Sequence, residues 1–253
     1  MRLATAGVAV MLTALFLLLP RPVRAFGDEG AFHPRVLLVG NAKFEGPRTT
    51  APARWAWELT RRTSAPARLA PTTVRADANA LLTEPFAYWL GDRDVGTLTT
   101  RELVALRKFF SLGGVLFVDE SDPAKGAFGK SARRELARVL PDTTPVPIGT
   151  DHVVFRSFYL LSRAVGRIEG PKNLEAIVRN GQTQVIFSSH DIAGALAQDR
   201  AGLPSFAVVP GGDEQREMAT RVAVNIAMFV LCSNYKDDQV HAPFLMRRRA
   251  RDR

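Results

Sequence analysis

The sequence predicts a single α/β domain in which helices flank a mainly parallel sheet. Short apolar runs such as Arg35–Gly40 and Val115–Val118 are typical of strands buried on both faces. A helical pattern over residues 99–112 leads directly into the second run, and helix followed by short buried strand is the order expected of a parallel sheet. No internal repeat and no Pro- or Ser-rich linker divides the chain, so one domain is expected.

Helices are predicted where apolar residues recur with helical spacing between start and stop signals. Trp55 and Leu59 lie four residues apart, and Thr99 with Glu102 has the spacing of a capping box. Gly113 then ends that helix, and Pro141 ends a basic amphipathic one. The predicted helices are residues 51–62, 99–112, 131–140 and 214–232.

Strands are predicted from short apolar runs bounded by turn residues. The Asn180-Gly181 pair separates two such runs, which indicates a hairpin between residues 176–178 and 184–187. The other predicted strands are residues 35–40, 72–74, 86–91, 115–118 and 146–148.

Composition and charge exclude several classes of protein. The 253 residues are 46% apolar and 23% charged, as in soluble domains, which excludes a disordered chain, a collagen-like repeat and a polytopic membrane protein. The formal charge is +9, but residues 1–25 contribute three arginines and residues 247–253 contribute +4, leaving +2 over residues 26–246. The body of the protein is nearly balanced, so we expect no nucleic-acid partner.

The N-terminus has the pattern of an export signal. Arg2 precedes an uncharged apolar run over residues 4–19, and Val23-Arg24-Ala25 is a small-x-small cleavage site. The prediction is a signal peptide over residues 1–25, a domain over 26–246, a basic tail over 247–253 and a periplasmic location. The alternative is an uncleaved segment that anchors the protein in the inner membrane, although the run is short of the ~20 residues of a spanning helix.

The order of several motifs resembles one bacterial family. Four segments carry the resemblance: residues 98–120 with their Gly-Gly turn, Arg133–Leu136, Pro147–Tyr159 with its Asp-His pair, and the helix Arg221–Ile226. The chain is similar to members of the domain of unknown function 4159 family over most of residues 33–240. The resemblance implies a class I glutamine amidotransferase-like or flavodoxin-like fold, exported bacterial proteins and partners in cell-envelope assemblies. It implies no established activity.

The amidotransferase mechanism itself is not expected in this chain. That mechanism needs a cysteine at a strand-to-helix elbow, whereas the strand ending at Val118 is followed by Asp119-Glu120-Ser121. Cys232, the single cysteine, lies in an apolar helical stretch and is expected to be a buried, inert thiol. Ser121 lacks the turn of a serine nucleophile and is expected to be a loop residue.

The sequence also does not predict a phosphate-binding loop at Gly129-Lys130-Ser131. Gly129-Lys130-Ser131 follows a strand and opens a helix, but a Walker A loop requires glycine where this chain has Ala124. The expected role of Ser131 is therefore that of a helix cap.

Three acids after the fourth predicted strand are candidate ligand-binding residues. Asp119, Glu120 and Asp122 follow a strand of the predicted parallel sheet, at the edge where ligands bind in open α/β folds. Their oxygens could hold a divalent metal ion, or they could form salt bridges with Arg133 or Arg134. No other cofactor is expected.

Two histidines and one more acid complete the candidate set. His152 follows Asp151, and His190 precedes Asp191 at the end of another strand. If the sheet brings them near Asp119, they could bind zinc or perform acid–base catalysis; otherwise each histidine is a hydrogen-bonded structural residue. The candidate catalytic residues are Asp119, Glu120, His152 and His190, and the candidate ligand-binding residues are Asp119, Glu120, Asp122, His152 and Asp191.

Two hypotheses about function follow. The first is a non-catalytic exported domain that binds a protein partner in the cell envelope, with a further contact between Arg247–Arg253 and an anionic membrane surface. The second is a metal-dependent hydrolase that uses the carboxylates and histidines at the sheet edge.

Overall fold

A seven-stranded sheet forms the centre of the protein, with the strand order β2-β1-β3-β4-β7-β6-β5. The computed structural model describes the backbone of residues 30–251 and the side chains of residues 30–233. Strands β2, β1, β3, β4 and β7 are parallel, and β6 is antiparallel to both of its neighbours. This confirms the predicted α/β class and its mainly parallel sheet. The strands are β1 Val36–Leu38, β2 Thr73–Arg75, β3 Phe86–Gly91, β4 Val115–Glu120, β5 Val146–Ile148, β6 Leu174–Arg179 and β7 Gln182–Ser188.

Helices cover both faces of the sheet and divide the core into two layers. The helices are α1 Ala51–Thr63, α2 Thr100–Ser111, α3 Ala127–Val139, α4 Ile192–Leu196 and α5 Gly212–Arg251, and short 3-10 turns lie at Pro47–Thr50, Asn79–Thr83 and Val153–Phe155. One layer packs α1, α4 and α5 against the sheet around Trp55 and Phe117. The other packs α2 and α3 around Phe109 and Leu116. Both faces of the central strands are therefore buried, as their apolar sequences predict.

Local signals in the sequence predicted several boundaries well. Thr99 and Glu102 form the capping box at the start of α2, with both reciprocal hydrogen bonds present. Asn180 and Gly181 both have positive φ, 52° and 78°, as a two-residue hairpin turn between β6 and β7 requires.

The start of α3 differs from the prediction. The helix begins at Ala127 after Gly126, whose φ is 62°, and not at Ser131. Ser131 is therefore not a cap: its hydroxyl bonds to the carbonyl oxygens of Ala127 and Phe128 inside the helix and accepts the N–H of Val95.

The last helix also extends beyond its predicted bounds. It runs from Gly212 to Arg251 and so includes most of the basic tail. Within residues 30–251, no helix combines the length and apolar character needed to cross a membrane. The predicted signal segment, residues 1–25, lies outside the described residues.

Strand β4 carries two acids to the C-terminal edge of the parallel strands. Its odd-numbered positions, including Phe117, face the α1, α4 and α5 layer, and its even-numbered positions, including Val118, face the α2 and α3 layer. Because side chains alternate along a strand, Asp119 and Glu120 point to opposite faces of the sheet.

Candidate functional site

Asp119 is fully buried at the end of β4 and accepts hydrogen bonds from three donors. The Tyr88 hydroxyl, on the neighbouring strand, donates to Oδ2 at 2.8 Å. The backbone N–H groups of Ile192 and Ala193, at the start of α4, donate to Oδ1 at 3.1 Å and Oδ2 at 2.8 Å. This carboxyl therefore joins β3, β4 and α4.

Asp191 lies beside Asp119, is likewise fully buried, and is bound by two arginines. Arg48 donates from Nε to Oδ1 at 2.8 Å and from Nη2 to Oδ2 at 2.6 Å, which is the two-pronged geometry that guanidinium and carboxylate favour. Arg167 donates its Nε–H to Oδ2. The N–H of Gly194 donates to Oδ1 at 2.9 Å. A Cβ at Gly194 would overlap the Asp191 carboxylate, so this position requires glycine.

The two arginines reach Asp191 from distant loops and share one aromatic neighbour. Arg48 belongs to the loop between β1 and α1, and its guanidinium lies 4.3 Å from the centre of the Phe206 ring. Arg167 approaches the same ring at 5.5 Å. Arg48 also donates to the carbonyl oxygen of Ser121, which follows β4. We name Arg48, Tyr88, Asp119, Arg167 and Asp191 the acid–arginine cluster.

Burial and neighbouring charges shift the pKa values in this cluster. Burial raises the pKa of Asp119 to about 7, and the charge of Asp191 acts in the same direction against its three hydrogen-bond donors. Burial also raises the pKa of Tyr88, helped by the charge of Asp119. For Arg48, burial acts against the charged form, but the hydrogen bonds and charge of Asp191 raise its pKa overall.

The neighbouring acids Glu120 and Asp122 contact groups close to them in the chain. Glu120 is buried on the opposite face of the sheet, where its carboxylate accepts the N–H of Asp122 at 2.8 Å and of Gly129 at 2.7 Å. The Gly129 N–H belongs to the first turn of α3, so a carboxylate already occupies the place where a phosphate loop would bind its anion. Asp122 is partly exposed and pairs with Lys125 at 2.9 Å.

His152 lies at the other edge of the sheet. Its Nε2 is 3.0 Å from the Thr183 hydroxyl, near the start of β7, and its Nδ1 accepts the N–H of Val154. Thr183 is five residues before Ser188, which pairs with Asp119, so the two edges are on the order of 16 Å apart along the strand. Burial lowers the pKa of His152, and Arg156 adds to the effect. The sheet does not bring His152 to Asp119.

His190 is adjacent to Asp191 in sequence but has different neighbours. Its ring is 1% exposed, and its Nε2–H donates to the carbonyl oxygen of Pro171 at 2.8 Å. Nδ1 is buried without a hydrogen-bond partner among the described residues. Burial lowers the pKa of His190, which favours the neutral form of its ring.

Cys232 differs from the prediction. It is exposed and not buried, and together with His152 it lines a cavity of about 440 Å³. It lies on the solvent side of α5, next to the half-buried Leu231 and Ser233. The apolar sequence around Cys232 predicted burial. The helix is indeed largely buried up to Val230, but it leaves the core after that residue.

Sequence reasoning placed Asp119 and Asp191 at the sheet edge but missed their partners. Arg48 is 143 residues from Asp191, and Arg167 is 24 residues away, so no local spacing joins them. Tyr88 carried a usable signal, because a tyrosine in a strand buried on both faces needs a partner for its hydroxyl. Among the described side chains, no three His, Cys, Asp or Glu residues are grouped to hold a metal ion.

The fold and the cluster define a mixed, mostly parallel α/β domain whose acids at the C-terminal sheet edge are enclosed by arginines. The family model described as Domain of unknown function (DUF4159) matches residues 37–231, so the chain belongs to that family. This confirms the family resemblance seen in the sequence motifs. A search of curated proteins found no match to the chain.

The buried ion pair generates a stability prediction. Replacing Arg48 with methionine leaves the Asp191 carboxylate with one guanidinium, and breaking a buried pair costs about 3 kcal/mol of unfolding free energy. Replacing Arg93, whose pair with Asp92 is exposed, should change it by less than about 0.5 kcal/mol. Urea denaturation of Arg48→Met and Arg93→Met measures both. Equal effects of the two substitutions would contradict a buried, structural pair.

The pKa of Asp119 predicts a dependence of stability on pH. A carboxyl with a folded pKa of about 7 and an ordinary value of 3.8 keeps its proton in the folded state while the unfolded state loses it. The contribution of Asp119 to the unfolding free energy is therefore complete below pH 4 and declines as the pH rises to about 7.

Denaturation at pH 5 and pH 8 tests this prediction. Asp119→Asn cannot ionise, so its loss of stability between the two values should be smaller than that of the wild type by on the order of 2 kcal/mol. Asp92→Asn, which removes an exposed carboxyl, is the control and should behave as the wild type. An unchanged pH dependence in Asp119→Asn would show that Asp119 does not hold a proton in this range.

Proposed function

We propose that the protein is an exported, non-catalytic domain that binds a protein partner in a cell-envelope assembly. The observation that carries the proposal is the complete engagement of the acids at the C-terminal sheet edge. All four carboxylate oxygens of Asp119 and Asp191 accept hydrogen bonds from protein groups, and neither residue is exposed.

Such acids are poorly suited to catalysis. A general acid, a general base or a metal ligand must present an oxygen to the substrate or ion, and here neither carboxyl group reaches solvent. The same contacts fix the loops that follow β1, β4 and β7. A rigid scaffold that presents loops at one sheet edge is the usual basis of a binding surface in α/β proteins.

The alternative of a metal-dependent hydrolase requires the candidate residues to meet. His152 lies at the opposite edge of the sheet, and Glu120 faces the other helical layer. His190 bonds to Pro171 and not to either acid of the cluster. The geometry therefore adds no support to this second hypothesis.

Location and membrane contact are part of the same proposal. The N-terminal signal pattern supports export to the periplasm, with an inner-membrane anchor as the alternative. The five arginines within residues 247–253 support a contact with an anionic membrane surface.

Charge reversal in the loops that follow β1 and β3 tests the proposed binding surface. Lys43, after β1, and Arg93, after β3, are both exposed at the C-terminal edge. If a partner binds there, Lys43→Glu/Arg93→Glu should reduce its recovery by about tenfold, equivalent to ~1.4 kcal/mol, after crosslinking in cells and affinity purification.

The matched control reverses two charges at the opposite edge. Lys108 lies in the last turn of α2 and Arg179 ends β6, and both are exposed. Lys108→Glu/Arg179→Glu should leave recovery of the partner unchanged. Equal losses in the two double variants, or recovery of no specific partner by the wild type, would refute the proposal.

The export proposal predicts a mature chain that begins at Phe26. Intact mass measurement of the protein from the periplasmic fraction should show loss of residues 1–25. Leu17→Arg places a charge within the apolar run and should block export, leaving the chain uncleaved. A full-length wild-type chain in the membrane fraction would instead favour the anchored alternative.

A further inference from the structure

A cavity of about 600 Å³ opens at the C-terminal edge of the sheet, between β1 and β3. The two strands share a single register pair, Val36 with Tyr88, and no pair beyond it. The ends of both strands line the cavity, together with residues 41–45 after β1 and 92–95 after β3. Its volume lies within the range of about 300–1,000 Å³ found for ligand pockets.

The topology explains why a cavity lies between these two strands. After β1 the chain passes to α1 on one face of the sheet, and after β3 it passes to α2 on the other face. The two loops therefore separate and leave a crevice between them. Such a switch point, at the carboxyl ends of parallel strands, is where ligands bind in open α/β sheets.

Part of the cavity wall suits an apolar group. Trp89 and Phe128 pack edge to face behind this wall, with ring centres 5.5 Å apart, and each is only 2% exposed. Phe44, Leu38 and Leu90 are half-buried around the same space, so apolar surface remains in contact with solvent. A large apolar side chain that entered would remove this surface from water.

The rim of the cavity favours an uncharged occupant. Lys43 pairs with Glu45 at 3.8 Å, and Arg93 pairs with Asp92 at 3.2 Å, so the exposed charges balance across the two loops. The fifth charged residue of the rim, Asp94, is bound by Arg134 and by the N–H of Gly96. A phosphate would meet three carboxylates here, and a metal ion would meet two cationic side chains.

The ends of β1 and β3 also suit a peptide backbone. Beyond Val36 and Tyr88 the two strands have separated, although each still pairs with its other neighbour, β2 or β4. Parallel strands direct peptide N–H and C=O groups towards both sides, and an extended peptide uses such groups for recognition. The acid–arginine cluster holds the loop that lines this cavity, because Arg48 lies only three residues after Glu45.

We infer that this cavity binds a short, uncharged peptide segment of a partner protein and encloses one large apolar side chain of it. The inference rests on the proposed binding function and names the chemistry that the partner supplies. The peptide contributes an aromatic or aliphatic side chain to the walls and its backbone amides to the strand ends.

Titration of the isotope-labelled protein with defined peptides tests the inference by NMR. The probes are acetylated and amidated heptapeptides of glycine and serine with phenylalanine, glutamate or lysine at the centre. The phenylalanine peptide should shift the Trp89 indole resonance and the amides of residues 41–45 and 92–95 saturably in the millimolar range. The glutamate and lysine peptides should bind at least about tenfold more weakly, a difference of ~1.4 kcal/mol.

A cavity-filling variant with a matched control locates the binding. Ala42 is exposed and lines the cavity, so Ala42→Phe should abolish the shifts while the rest of the spectrum stays folded. Ala201→Phe adds the same side chain at an exposed site between α4 and α5 and should bind as the wild type.

Three outcomes would overturn the inference. They are equal binding of the three peptides, unchanged binding by Ala42→Phe, and no saturable shift with the phenylalanine peptide. One result separates this inference from the proposed function. If Ala42→Phe still recovers the partner but Lys43→Glu/Arg93→Glu does not, the cavity is refuted as the site of the partner and the binding function stands.

Discussion

Two arginines from distant loops, Arg48 and Arg167, meet the carboxylate of Asp191 in the interior of the protein, where an isolated charge would be strongly unfavourable. The C-terminal edge of the sheet depends on this contact. Asp191 also caps the start of α4, and the N–H groups that follow it bind Asp119 on β4. Loops separated by more than a hundred residues are thereby held in one arrangement.

A buried ion cluster of this kind is a costly way to gain stability, because well-packed apolar residues can often replace it without loss. Its distinctive effect is geometric, since charged and hydrogen-bonded groups tolerate few alternative arrangements. The cluster positions the loop from β1 to α1, and that loop forms one wall of the cavity beside Trp89. The acids at the sheet edge thus hold in place, through Arg48, the loop that lines this cavity.

Much of the fold could be predicted from local patterns. The capping box at Thr99, the hairpin turn at Asn180-Gly181 and the buried run of β4 lie where sequence periodicity and turn chemistry place them. The start of α3 could not be predicted in this way, because Gly126 and the burial of Ser131 outweighed the hydroxyl as a cap. Cys232 was misplaced for a similar reason: helical spacing gives no information about where a helix leaves the core.

The sequence by itself determined the class of the fold, the family and the presence of acids at or just after the ends of β4 and β7, because these depend on the order of short local patterns. Only the tertiary structure decided what the acids do. Strand order brings the arginines to Asp191, leaves His152 beside Thr183 at the far edge of the sheet, and opens the gap between β1 and β3. Strand order joins residues that no spacing along the chain relates, and the chemistry of this edge is set by those neighbours.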